Sequence, residues 1–246
     1  MQARRLPARE GLAWLKSGFR LYCANPPLLS FLTLSYLMAV LLANLIPVIG
    51  PFLLPLLLPT LTIMVANGCR AIDAGPLKGS LWPPLLDGVK DRRIALLHLG
   101  GLNLCASLVV LLLSYLIGDG AMDLSSADES EIAWMLLRLM ALASPLLLAF
   151  WFAPLLVVWA RVPALKAVFF SFFASLQNWR AFLVYGAAVL AFGVLVPGLV
   201  IVVAGMILPA FGSALAFLLR MALLLVLAPT LMASVYLSYR DVFVGE

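Results

Sequence analysis

Long apolar runs broken by short polar connectors set the pattern of this chain. Runs of about 18 or more apolar residues recur, each long enough at ~1.5 Å per residue to cross ~30 Å of hydrocarbon as a helix. The pattern predicts six spans, roughly 28–46, 51–69, 94–117, 132–160, 181–207 and 210–238. Of the 246 residues 65% are apolar and only 11% charged, an excess that no single water-soluble core can bury. The expected fold is all-α, a polytopic membrane protein forming a single integral membrane domain over residues 1–246. The N-terminus "MQARRLPAREGLAWLKSGFRLYCANPP" is basic and amphipathic, and no short apolar core with a cleavage site follows it.

Charge orients these spans. Arg4, Arg5, Arg9, Lys16 and Arg20 precede the first; Arg70, Lys78, Lys90, Arg92 and Arg93 lie between the second and third. Arg161, Lys166 and Arg180 lie between the fourth and fifth, and Arg240 follows the sixth. Every Lys and Arg except Arg138 and Arg220 thus falls on one face, while "GDGAMDLSSADESE" puts its acids on the other. Positive loops stay inside, so both termini are expected in the cytoplasm and the acidic loop outside, in a bacterial inner membrane.

Self-alignment suggests three two-span units, 11–75, 79–161 and 164–241. "PTLTIMVANGCR" (59–70) and "PTLMASVYLSYR" (229–240) share Pro-Thr-Leu and a closing Arg at identical spacing, and Asn25 and Asn178 each precede a span. Such repeats are common in transporters and also occur in scaffolds. The introducing segments mix Trp14, Leu15, Phe19, Leu21 and Tyr22 with Lys16 and Arg20, which predicts interfacial amphipathic helices with aromatics inward and bases toward anionic lipid. Cys23, Cys69 and Cys105 lack metal-ligand spacing and read as buried free thiols.

Polar residues inside spans are the candidate sites. Arg220 is central in the sixth span, where an Arg costs ~2.5–3.5 kcal/mol on insertion scales and must meet protein, water or an anion. Ser213, Arg220 and Ser234 are spaced to share one helical face, as an interhelical seam or a pathway lining would. The competing reading is a structural Arg on carbonyls freed by proline. Arg138 is near the outer end of the fourth span, within reach of headgroups or Glu131, and Asn103 is mid-span, an interhelical hydrogen-bonding position. His98, the single histidine, can complete neither a metal site nor a triad by itself.

"NLIPVIGPFLLPLLLPT" carries Pro47, Pro51, Pro55 and Pro59. Pro47 ends a helix, Gly50 offers a positive φ for the turn, and Pro51 begins the next helix, where its missing donor costs little. Only Pro55 and Pro59 break hydrogen bonds, and one of the two intramembrane arginines is expected to approach residues 51–59.

No HExxH, GxSxG, phosphate-cradling glycine loop or intramembrane acid pair is present, so neither an enzyme nor a metal or cofactor is expected. The spread of bases along a membrane face argues against nucleic acid. "GLAWLKSGFRLYCANPPLL", "NLIPVIGPFLLPLLLPTL" and "NGCRAIDAG" resemble a family of uncharacterised proteobacterial inner-membrane proteins. More distantly, the layout is similar to the membrane domain that accompanies some glycerophosphodiester phosphodiesterases. This chain lacks that family's soluble domain and metal-binding acids, so no such activity carries over. The resemblance implies an inner-membrane location and six spans. Transport or channel-like handling of a small anionic or lipidic substrate is the function expected; a non-catalytic assembly partner or lipid organiser is the alternative, with membrane lipids as partners in either case.

Overall fold

In a computed structural model the described residues are 3–75, 79–117, 128–207 and 212–244, and among them the chain is helical, without strands. The helices are α1 (Glu10–Ala24), α2 (Pro26–Asn44), α3 (Gly50–Asp73), α4 (Trp82–Leu85), α5 (Arg93–Ile117) and α6 (Glu129–Trp151). There follow α7 (Ala153–Val158), α8 (Ala164–Gln177), α9 (Trp179–Leu190), α10 (Val196–Ile207), α11 (Gly212–Ala222) and α12 (Ala228–Tyr239). Among the described residues, π segments interrupt or extend them at π1 (Ala191–Leu195), π2 (Leu223–Leu227) and π3 (Arg240–Val244). Among the described residues six apolar helical stretches, Pro26–Asn44, Gly50–Asp73, Arg93–Ile117, Ser130–Val158, Trp179–Ile207 and Ser213–Val244, are long enough to cross a membrane. They match the six expected spans within a few residues, and their exposed faces are Leu, Val, Ile and Phe, as lipid requires. Asp119 and Asp123 of the acidic loop, and Lys78, lie outside the described residues.

Packing divides the chain into two compact units. The first holds Met1–Val40, Met64–Asp87 and Gln177–Glu246; the second holds Leu41–Ile63 and Gly88–Leu176. The order helix, asparagine, span, span occurs at both ends of the chain: α1, Asn25, α2, α3, and α8, Asn178, α9–α10, α11–α12. Asn25 caps α2, its Oδ1 accepting the Leu28 N–H at 3.3 Å. Asn178 instead holds the chain before α1.

The second unit explains how the prolines are tolerated. Pro59 has no N–H to give the Pro55 carbonyl, and Asn103 Nδ2 of α5 donates to that oxygen at 3.4 Å. The close approach is set by Gly100, where a Cβ would stand 2.7 Å from the Leu56 backbone. The donor reaching the broken stretch in this unit is therefore Asn103 and not an arginine. Arg138 Nη1 reaches the Ile117 carbonyl at the end of α5 instead (3.4 Å), and Glu131 accepts the Asp128 N–H rather than pairing with it. Pro145 likewise frees the Ala141 carbonyl, which Ser144 Oγ takes at 2.9 Å.

At the α6–α7 break, Ser171 of α8 stands in the helical ladder. Its Oγ accepts the Phe152 N–H at 2.9 Å and donates to the Leu148 carbonyl at 3.0 Å, replacing one i→i−4 bond with two side-chain bonds. Arg92 closes the other end of α7, Nε and Nη2 donating to the Val157 and Val162 carbonyls.

Three expectations need correction. Gly50 does not take the positive φ of the outer turn; Val48 does, at 64°. Gly50 is needed for a different reason, since a Cβ there would run into the Ala43 carbonyl. Of the cysteines only Cys69 is buried; Cys23 and Cys105 are exposed, because they sit on the outward faces of α1 and α5. Ser213, Arg220 and Ser234 do not share a face. Ser213 and Arg220 are exposed and Ser234 is buried, because the wider turn of π2 between them shifts the register of everything that follows.

A candidate lipid groove

The first unit is built around α1. Gly11, Trp14, Gly18 and Leu21 recur at helical spacing and, with Leu15, form its buried stripe. At Gly18 a Cβ would stand 2.6 Å from the Thr230 carbonyl of α12, and at Gly11 it would meet Ala181 O and Tyr185 N of α9. α1 thus lies against two helices at backbone distance. Trp14 packs edge-on against Phe182 (5.5 Å between centroids) and Tyr185 (6.3 Å). Its indole N–H donates to Asp241 Oδ2 at 3.0 Å, which gives this buried ring the polar partner it needs. The aromatic Trp14 packs inward against protein because the glycines let the helices come so close.

The chain before α1 is fastened as well. Leu6 N–H donates to Asn178 Oδ1 (2.8 Å), Asn178 Nδ2 donates to the Arg4 carbonyl (3.0 Å), and Arg4 N–H donates to the Val242 carbonyl of π3 (2.9 Å). Around α12, Tyr236 Oη and Arg240 Nη1 both donate to Asp73 Oδ2, at 2.7 and 3.0 Å, and Arg240 Nε lies 3.4 Å from Asp241 Oδ1. Asp241 therefore ties Trp14 to Arg240, and Arg240 to the end of α3. Ser234, expected in an interhelical seam or a pathway lining, has its hydroxyl 2.6 Å from Tyr185 Oη and lies in the seam between α9 and α12.

The other face of α1 presents Leu12, Lys16, Phe19 and Arg20, with Leu15 at the edge of the buried stripe, and here a groove of about 920 Å³ opens. Its far walls come from Val196 and Val200 of α10, Leu219 and Ala222 of α11, and residues of both interior π segments: Phe192 of π1, and Leu223, Val226 and Leu227 of π2. The π segments meet where a Cβ on Gly193 would stand 3.3 Å from Leu227 Cδ2. Each ends two residues before a proline, Pro197 and Pro229. A wider turn there relieves the clash between the proline ring and the preceding carbonyls. The Leu225 carbonyl, which Pro229 leaves without an N–H, receives Ser30 Oγ at 3.3 Å. π turns concentrate at functional sites, and these two shape one wall.

The lining is hydrocarbon with three polar residues, Lys16, Arg20 and Thr230. Thr230 Oγ1 is already bonded to the Val226 carbonyl at 2.7 Å. The lining therefore offers two cations beside apolar surface. Arg220, the sharpest feature of the sequence, neighbours Leu219 but does not line the groove. Lys16 and Arg20 read in the sequence only as part of a basic face. Their i, i+4 spacing beside Leu12 and Phe19 was the signal that set them apart.

Along 99% of its length the chain is 33% identical to a protein of Burkholderia thailandensis named as a probable inner membrane protein, and the match covers 94% of that relative. No family model matches the chain, so the more distant likeness to the phosphodiesterase membrane domain gains no support. No solved structure matches it either.

Proposed function

Because this chain belongs to the same inner-membrane protein family as its Burkholderia thailandensis relative, we propose that it is a non-enzymatic, lipid-handling membrane protein. It takes the hydrocarbon chain of a membrane amphiphile into the groove between α1, α10 and α11. The observation that carries this reading is the groove itself: about 920 Å³, the scale of a ligand site, with apolar walls and a wall residue from each interior π segment. Carriage of a small soluble anion past Arg220 has less support, since Arg220 lies outside that lining. Transport and lipid organisation both start from the same bound chain. The repeated order of helix, asparagine and paired spans at the two ends supports the internal duplication.

Ala222 is exposed on the groove wall, so Ala222→Trp fills the space without touching the interior. Native mass spectrometry of protein purified in mild detergent is expected to show bound lipid on the parent chain and its loss from the variant, with helicity unchanged. Equal retention by both would remove the groove as the site.

The orientation proposed is N-in and C-in, supported by the basic connectors. In a cysteine-free background, Ser130→Cys should react with a membrane-impermeant maleimide in intact spheroplasts, and Val244→Cys only after permeabilisation. The reverse pattern would invert the topology.

A further inference from the structure

We infer that the amphiphile is an anionic phospholipid whose phosphate is held by Lys16 and Arg20, an inference that rests on the groove being a lipid site. The first argument is charge accounting. The described acids of the first unit are Glu10, Asp73, Asp87 and Asp241, and each has a base elsewhere. Glu10 is 3.8 Å from Arg9, Asp87 is 3.7 Å from Arg70, and Asp73 and Asp241 share Arg240. Lys16 and Arg20 are exposed and have no ion-pair partner among the described residues, so the groove carries two positive charges that none of these four acids compensates. Groups in an apolar setting call for an anion more strongly than the same groups in water.

The second argument is geometry. Four residues apart, Lys16 and Arg20 project from one face of α1, and Leu12 and Phe19 lie on that same face. One face therefore offers hydrocarbon contact and a two-cation grip side by side, the combination an acyl chain joined to a phosphate presents. Arg supplies a planar fork for phosphate oxygens and Lys a point charge. α1 cannot swing away to leave the pair in bulk water, because Gly11, Gly18 and Trp14 fix its opposite face. A zwitterionic headgroup brings its own ammonium against the same cations, which is a repulsive element favouring lipids of net negative charge.

The test titrates protein, reconstituted in nonionic detergent, with dioleoyl phosphatidylglycerol, dioleoyl phosphatidylcholine and inorganic phosphate. It compares the parent chain with a Lys16→Gln/Arg20→Gln variant and with Lys16→Arg. Two basic residues predict a preference for phosphatidylglycerol over phosphatidylcholine on the order of 10- to 30-fold, weakening as salt is raised. The double variant should bind both lipids with the phosphatidylcholine affinity, since the chain site is intact, while Lys16→Arg keeps the preference. Equal binding of the two lipids by the parent chain, or a preference that survives in the double variant, overturns the inference and leaves the groove reading standing. Inorganic phosphate that binds as tightly as the lipid and displaces it overturns the lipid as the anion's source. Binding of neither lipid overturns the groove reading together with this one.

Discussion

Gly11→Val is expected to release α1 from the first unit and to abolish lipid retention at the same time. The Cβ of any residue at position 11 meets the Ala181 carbonyl and stands 2.7 Å from Tyr185 N. Both obstacles are backbone in α9, so no side-chain rotation makes room. Overpacking in a close-packed interior typically costs ~1–3 kcal/mol, and a rigid obstacle puts this substitution at the upper end. The consequences reach beyond position 11, because Trp14, its bond to Asp241 and the groove wall from Leu12 to Arg20 all ride on α1. Thermal unfolding in detergent should show a lowered midpoint, and native mass spectrometry should show the lipid gone, with Gly11→Ala intermediate. An unchanged midpoint with valine in place would mean that α1 is not docked at backbone distance.

In the second unit, Ser171→Ala is expected to be the most damaging single-atom change. Ser171 is fully buried, and its Oγ holds the Phe152 N–H and the Leu148 carbonyl across the α6–α7 break. Losing a buried hydrogen bond costs ~0.5–1.5 kcal/mol. The carbonyl keeps a second donor, Ser175 Oγ at 3.2 Å, so nearly all the loss falls on the amide. Ser175→Ala should therefore cost clearly less than Ser171→Ala. Denaturant unfolding gives the ranking, and hydrogen exchange at the Phe152 amide should accelerate in the first variant and not in the second. The same exchange rate in both would show that Ser171 does not bridge the break.

The arginine that hydropathy marks most sharply in the sequence is not the one that builds the groove. Arg220 is a conspicuous charge in an apolar helix, yet it stands clear of the groove lining. Lys16 and Arg20 are inconspicuous, one basic pair among the many that orient the chain, and gain meaning only through what faces them. Nothing local in Trp14 says that its nitrogen will meet Asp241, more than 200 positions further along. Nor does Asn103 announce that it will serve the Pro55 carbonyl. The prolines are a middle case. Their positions show carbonyls that lose an N–H, among them those of Pro55, Ala141 and Leu225, but the donors Asn103, Ser144 and Ser30 are assigned only by packing.

By itself the sequence determined the number and limits of the spans, because crossing hydrocarbon depends on local length and apolarity, which a window along the chain measures in full. It also determined where helical hydrogen bonds must fail, because a missing proline N–H is a property of one residue. The tertiary structure alone decided which stripe of α1 is buried and which is open, how the π turns shift α10 and α12, and hence that two exposed cations share a groove with hydrocarbon. Those outcomes depend on helices far apart in sequence meeting at backbone distance, and the energy of that meeting is a property of both surfaces together.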